Sequence, residues 1–302
     1  MTERFRVGTR RSPLARAQTR WVVQRLARVV RGVRFEAAPV DTSGDQDHSL
    51  GGSPDFTDTI DRALLRGEVD LAVHSAKDLP VTLDRRMDLL ACPLRADPRD
   101  CLVTASPRGR SPLPRGARVG SSSLRRRAQL LRWRPDLNVV EIRGNVDTRI
   151  GLVRAGELDA AVLAVAGIAR LGRTAEIGRT LPSAAFLPAP AQGALAVVGR
   201  AGDSLVASTV RRIDHAPTRA CVTAERTFAA TLGGDCRLPL GALATHRKQA
   251  VTLAGEVLTP EGRMSLRLKR RGPATAPERL GSILGREMLD RGAVDLLSSS
   301  RR

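Results

Sequence analysis

Residues 63–74, ALLRGEVDLAVH, and residues 152–163, LVRAGELDAAVL, are two versions of one pattern. Each has an apolar helical stretch, a Gly-Glu pair, an aspartate and then a short apolar run. A glycine at that point ends a helix by turning left-handed. The uninterrupted apolar run that follows has the length of a strand buried on both faces. A helix feeding such a strand is half of a strand-helix-strand unit, so the repeat predicts two α/β halves.

The surroundings of the two copies agree. The first half reads as strand RFRVGT (4–9), helix LARAQTRWVVQRLARVV, strand VRFEAAPVDT (33–42), a polar glycine-rich loop (43–56), helix TDTIDRALLRGE and strand DLAVHS (70–75). The second reads as strand ARVGSS (117–122), helix SLRRRAQLLRWR, strand LNVVEIR (137–143), helix NVDTRIGLVRAGE and strand DAAVLAVAG (159–167). A parallel sheet is expected in each half. FLPAPAQGALAVVGR (186–200) is a proline-rich crossing followed by an apolar strand. From about Asp214 the pattern changes to a helix, the loop GGDCRLPLG (233–241), strands ALATHR, AVTLAGEVL and MSLRLKRRG, and a last helix, ERLGSILGREMLDRG. That is a smaller α+β domain.

Charge is the strongest compositional signal: 50 Lys and Arg against 31 Asp and Glu give +19 over 302 residues. Nucleic-acid binding, a site for a polycarboxylate or polyphosphate, and plain solvated arginine are the three readings. Five Phe, two Trp and no Tyr leave few platforms for stacking bases, and neither a zinc finger nor an RNP motif is present. No nucleotide-cradling glycine motif occurs. Four cysteines and four histidines without metal-ligand spacing argue against a metal site. No apolar run is long enough to span a membrane. MTERFRVGTRRSPLA lacks the features of a signal peptide, so a cytoplasmic protein with reduced thiols is expected.

Candidate chemistry gathers at strand ends, where α/β sheets place ligands. HSAKDLP (74–80) puts Lys77 beside Asp78, a carboxylate able to act as acid, base or partner of a developing cation. VGSSSLRRRAQLL (119–131) offers Ser121, Ser122 and Ser123 at a helix start, followed by Arg125 and Arg126. Cations in a first turn oppose the helix dipole, which hints at an anion nearby. TRRSPLA (9–15) is a fainter version. EIRGNVDTR adds Arg143 and Arg149, and AGIARLG adds Arg170. Each arginine alone reads equally well as a solvated side chain; several at corresponding strand ends point to an anion site. Cys236 stands between Gly-Gly and Pro-Leu-Gly, an exposed setting for a residue type that is usually buried.

HSAKDLP, VGSSSLRRRAQL, RPDL, EIRGNVDTR, AVAGIARLG, LPAPAQGALAV and GGDCRLPLG, in this order, resemble the hydroxymethylbilane synthase (porphobilinogen deaminase) family from about Arg6 to about residue 297. The resemblance implies two similar periplasmic-binding-protein-like α/β domains with a central cleft, plus a smaller α+β domain. Their expected bounds are 1–94 with 190–212, 98–187, and 214–302. It implies head-to-tail condensation of four porphobilinogen units with loss of ammonia, on a dipyrromethane cofactor held by a thioether to Cys236. Asp78 matches the aspartate that contacts pyrrole nitrogens. Arg10, Ser12, Lys77, Ser123, Arg125, Arg126, Arg143, Arg149 and Arg170 match positions that bind the acetate and propionate groups of cofactor and growing chain. The implied partners are porphobilinogen and the polypyrrole chain, without nucleic acid or membrane, and the implied state is a monomer.

The chain departs from the family pattern in places. The loop before the TDTIDRALL helix keeps Gly52 and Phe56 but has Ser53, Pro54 and Asp58 where glycine and lysines are usual. Asp235 precedes the loop cysteine in place of a small residue, and VVGR follows AQGALA. A carboxylate beside a thiol disfavours the thiolate, so slower cofactor attachment is expected. These departures keep a divergent paralogue with another pyrrole or lost turnover in view, alongside a non-catalytic anion-binding clamp.

Overall fold

Two left-handed glycines end equivalent helices in the repeated stretches. In this computed structural model, which describes residues 3–40, 58–80, 82–105, 113–234 and 238–298, Gly67 has φ 73° and Gly156 φ 76°. Behind each, the Glu68 amide donates to Ala63 O and the Glu157 amide to Leu152 O, both at 3.0 Å. These bonds satisfy carbonyls that a helix end leaves open. The aspartates of the repeat are matched too. Asp70 Oδ2 accepts the Arg6 amide at 2.8 Å, and Asp159 Oδ2 accepts the Arg118 amide at 2.7 Å. One motif therefore ends a helix and pins a backbone amide of the neighbouring strand, twice.

The elements run β1 (Glu3–Thr9), α1 (Pro13–Val29), β2 (Val33–Pro39), α2 (Asp58–Leu65), β3 (Leu71–Ser75), β4 (Met87–Ala91), β5 (Asp100–Thr104), β6 (Arg118–Gly120), α3 (Leu124–Trp133), β7 (Asn138–Val140), α4 (Val146–Arg154), β8 (Ala160–Ala164), α5 (Val165–Arg170), β9 (Ile177–Thr180), β10 (Leu195–Arg200), α6 (Ser204–Val210), α7 (Ala216–Thr231), β11 (Leu240–Arg247), β12 (Ala250–Leu258), β13 (Ser265–Pro273), α8 (Pro277–Asp290) and α9 (Ala293–Ser298). They form two compact units, residues 1–95 with 194–219, and residues 96–193 with 220–302.

The first unit holds a sheet of order β2-β1-β3-β10-β4, the second a sheet of order β7-β6-β8-β5-β9. In each, three strands are parallel and the last two run antiparallel to their neighbours. The register repeats: Gly8 pairs with Ala72 and Gly120 with Ala161. A Cβ on Gly120 would lie 2.7 Å from Ile142 Cδ1 and from Leu158 Cδ1, so the strand end closes tightly on its neighbours.

The wholly parallel expectation is thus corrected to mixed sheets. The fourth strand of the first sheet, β10, arrives from far along the chain, while that of the second, β5, precedes its parallel partners. β4, β5, β9 and α6 have no counterpart in the sequence reading, and the strand expected over 159–167 stops at Ala164, where α5 begins.

α1 begins with Ser12 Oγ accepting the Ala15 amide at 3.4 Å and Pro13 in its first turn. Its Val22 and Leu26 pack with Val7, Leu71 and Val197 of the first sheet. The second sheet packs Val119, Val162 and Leu102 with Leu130 of α3. Within the second unit, β11-β12-β13, the three strands expected after Asp214, form an antiparallel sheet. Its Val251, Leu253 and Val257 cluster with Phe228 of α7 and with Leu284 and Met288 of α8. No helix among the described residues is long and apolar enough to cross a membrane.

Candidate active site

In the first unit the candidate residues share one sheet edge. β1 and β3 are parallel neighbours, so the chain leaves both at the same end. Arg10 follows β1 and Ser12 caps α1. Lys77 and Asp78 lie in a 3-10 turn, Ala76–Asp78, directly after β3. Two bonds fix that turn: Gln18 Nε2 of α1 donates to Ser75 Oγ at 2.8 Å, and the Ala76 amide donates to Ala194 O at 3.0 Å. Beneath it, His74 Nε2 lies 3.1 Å from Asp61 Oδ1, both side chains buried. Asp78 itself is exposed.

In the second unit the parallel strands β7, β6 and β8 likewise end at one edge. Ser123, Arg125 and Arg126 follow β6, Arg143 and Arg149 follow β7, and Arg170 follows β8. Ser123 caps α3, accepting the Arg126 amide at 3.4 Å, and Asn145 caps α4, accepting the Thr148 amide at 3.0 Å. Arg149 Nε donates to Gly144 O at 3.0 Å and its Nη2 to Ser122 Oγ at 3.3 Å. Arg170 Nη2 donates to Gly193 O at 2.7 Å. Arg143 is exposed, with Glu141 at 3.3 Å.

Arg125 and Arg126 are not solvated: both are buried around Asp100, which sequence reasoning missed. Arg126 Nη2 lies 2.7 Å and Arg125 Nη1 2.9 Å from its two oxygens. Gln192 Nε2 adds a bond at 2.8 Å. Arg126 also donates through Nη1 to Val162 O at 3.1 Å. Burial alone would raise the Asp100 pKa, but the two guanidiniums outweigh it and hold the carboxyl well below its usual range. Asp100 carries no spacing signal, because its partners are brought in by β5 and α3 from distant stretches of chain.

The same unit carries two further half-buried guanidiniums, Arg149 and Arg170. Neither has a carboxylate partner among the described residues. Burial pushes the Arg170 pKa down to about 10, and burial and then the charge of Arg126 lower that of Arg149. Arg125 Nε is buried without a hydrogen-bond partner among the described residues. Guanidiniums without carboxylate partners among the described residues have the charge and donor geometry that carboxylates pair with.

Cys236, Asp235, Gly52, Ser53, Pro54 and Phe56 lie outside the described residues, as does the side chain of Asp58. No group of His, Cys, Asp or Glu suited to a metal ion occurs among the described residues.

The family described as "Porphobilinogen deaminase, dipyromethane cofactor binding domain" matches residues 5–208, and "Porphobilinogen deaminase, C-terminal domain" matches residues 219–290. A porphobilinogen deaminase of Roseiflexus castenholzii is 44% identical over 99% of this chain and 100% of its own. One of Thermus thermophilus is 42% identical over 98% of each chain. Among solved structures, a Bacillus subtilis lipoprotein described as methionine-binding covers 70% of this chain and 90% of its own, at 12% identity and a TM-score of 0.44. With family matches spanning both units and relatives aligned from end to end, the chain belongs to the porphobilinogen deaminase family.

Proposed function

We propose that this chain condenses four porphobilinogen units head to tail into hydroxymethylbilane, with Asp78 as the catalytic carboxylate and Cys236 carrying dipyrromethane through a thioether. The observation that carries the assignment of the binding residues is the arginine edge of the second unit. Among the described residues, Arg149 and Arg170 have no carboxylate partner there, and the buried Arg125 Nε has no hydrogen-bond partner. A dipyrromethane bearing acetate and propionate groups supplies the anions those donors lack, so the residues fit the cofactor.

When bound, dipyrromethane supplies a nucleophilic pyrrole position and a covalent tether for the growing chain. The protein's own side chains do the rest. Arg125, Arg126, Arg143, Arg149 and Arg170, with Ser123, hold pyrrole carboxylates and fix the register of the chain. Within the first unit, Arg10, Ser12 and Lys77 are the residues suited to pyrrole carboxylates. With its amine protonated to ammonium, porphobilinogen breaks its aminomethyl C–N bond, the electron pair leaves on nitrogen as ammonia, and positive charge spreads over the pyrrole. Asp78, held on a short turn by the bonds at Ser75 and Ala76, offers a carboxylate to that charge and to the pyrrole N–H groups. Repetition four times demands many carboxylate sites, which accounts for arginine at the end of each parallel strand of the second unit.

Intact mass tests the reading. The purified chain should exceed its sequence mass by one dipyrromethane, Cys236→Ser should remove the increment, and porphobilinogen should be consumed with release of ammonia. A chain that neither carries the increment nor releases ammonia is an anion-binding clamp and not a deaminase.

A further inference from the structure

The arginine edge is tied to the three-stranded sheet of the same unit by a chain of side chains that ends on Glu256. Glu256 lies on β12 and is 4% exposed. Its Oε2 accepts a hydrogen bond from Gln129 Nε2 at 3.0 Å, so its side-chain partner sits on α3 and not in its own sheet. Gln129, also buried, accepts with Oε1 from Arg125 Nη1 at 2.9 Å and donates with Nε2 to Leu187 O at 3.0 Å. Arg125 Nη1 donates to Leu187 O as well, at 2.7 Å.

This arrangement fixes the polarity of the Gln129 amide. Turned over, it would set its NH2 against a guanidinium and its oxygen against a carboxylate. Glu256 therefore dictates which end of Gln129 faces Arg125. Its charge also matters, because Arg125 and Arg126 share Asp100 and burial lowers the Arg125 pKa; Glu256 is one of the anions that offset this. A buried carboxylate with a single side-chain hydrogen bond is a costly choice on an otherwise apolar stretch of β12, where Leu253, Val257 and Leu258 are buried.

We propose that Glu256 is a positioning residue for Arg125. Acting through Gln129, it holds the Nη1 side of the guanidinium and so fixes the orientation in which Arg125 sits. The proposal rests on the assignment of Arg125 as a carboxylate-binding residue above. Glu256 touches neither substrate nor cofactor.

The test compares Glu256→Leu, Glu256→Gln, Gln129→Leu and Glu256→Leu/Gln129→Leu with the parent holoenzyme, each checked for folding by circular dichroism. Glu256→Leu should raise KM for porphobilinogen about tenfold, the scale of one lost charge-assisted hydrogen bond. Its kcat should stay within about twofold. Glu256→Gln keeps an acceptor for Gln129 and should return KM to within about twofold of the parent. The double variant should be no worse than the poorer single, since both act on one link. A second readout is the rate at which full-length chain purified without cofactor gains the dipyrromethane mass on incubation with porphobilinogen; Glu256→Leu should slow it and Glu256→Gln should not.

Parent-like KM in Glu256→Leu, equal impairment of the Leu and Gln variants, or additive effects in the double variant would overturn the proposal. If Glu256→Leu does not fold, Gln129→Leu against Glu256→Gln makes the same comparison. Arg125→Gln separates the two levels. If its KM rises while the Glu256 and Gln129 variants keep the parent's, only the positioning role fails. If its own KM is unchanged, the assignment of Arg125 fails and takes the positioning role with it.

Discussion

Asp100 Oδ1 lies 2.7 Å from Arg126 Nη2, and the two side chains are 1% and 9% exposed. Its other oxygen faces Arg125 Nη1 at 2.9 Å. Asp100→Asn would leave two buried guanidiniums sharing one neutral amide. Breaking a buried pair in this way is expected to cost about 3–5 kcal/mol. Urea unfolding of parent and variant measures it, and a loss below about 1 kcal/mol would show that water already reaches the cluster.

The same carboxylate gives the protein an acid limb. Its folded pKa is depressed, because the two guanidiniums and the bonds from Arg126 and Gln192 outweigh desolvation. A depressed carboxyl stabilises the fold above its unfolded pKa, about 3.9, and that contribution is lost as pH falls toward the folded value. Melting temperature should therefore fall as the parent is acidified below about pH 4. Asp100→Asn should be less stable at neutral pH and show a shallower slope in that window. Parallel curves for the two proteins would assign the acid limb to other carboxylates.

Arg170 sets binding against stability. Burial pushes its pKa down to about 10, and its guanidinium bonds a carbonyl and not a carboxylate. Replacing a desolvated cation by an apolar chain of similar length is often neutral or stabilising. Arg170→Met is expected to raise the melting temperature of cofactor-free protein by about 2–4 °C, the shift for ~1 kcal/mol in a chain of this size. It should also raise KM for porphobilinogen. A lowered melting temperature would mean that the Gly193 bond outweighs desolvation.

The repeat in ALLRGEVDLAVH and LVRAGELDAAVL made the two sheets legible because its glycines and aspartates act locally. Gly67 and Gly156 end helices, and Asp70 and Asp159 clamp the strand alongside. Strands β4, β5 and β9 were not legible. They are short, and their identity as strands depends on antiparallel partners elsewhere in the chain. The candidate arginines could be picked out because each follows a strand end. Asp100, Gln129, Gln192 and Glu256 could not, since β5, α3, β12 and the turn before β10 bring them together only in the folded unit. Sequence position shows which donors exist, whereas burial decides which are already spent.

Gly193 joins backbone geometry to the site. It has φ 87°, and a Cβ there would lie 2.7 Å from Ala96 O. Its carbonyl accepts from Arg170 Nη2 and from the Ala96 amide. Gly193→Ala is strained by its dihedral and by that close approach, and should cost about 1–3 kcal/mol. Because the carbonyl must shift, KM for porphobilinogen should rise with the loss of stability. A variant that loses stability but keeps its KM would show that Arg170 does not depend on Gly193.

Asp78 is the opposite case, since its fold role is slight. It is exposed on the turn after β3, and that turn is held by bonds at Ser75 and Ala76 which do not use the Asp78 side chain. Asp78→Asn keeps the shape and removes the charge. Stability should change by less than about 0.5 kcal/mol. If the carboxylate faces the cation left by the departing amine, ammonia release in a single turnover should slow by about 100- to 1,000-fold. KM should move little if, as proposed, the arginines and not Asp78 hold the carboxylates. Asp78→Glu keeps the charge but lengthens the side chain, so it should recover part of the rate. An Asn variant that releases ammonia at the parental rate would remove Asp78 from the chemistry and leave the turn as a structural feature alone.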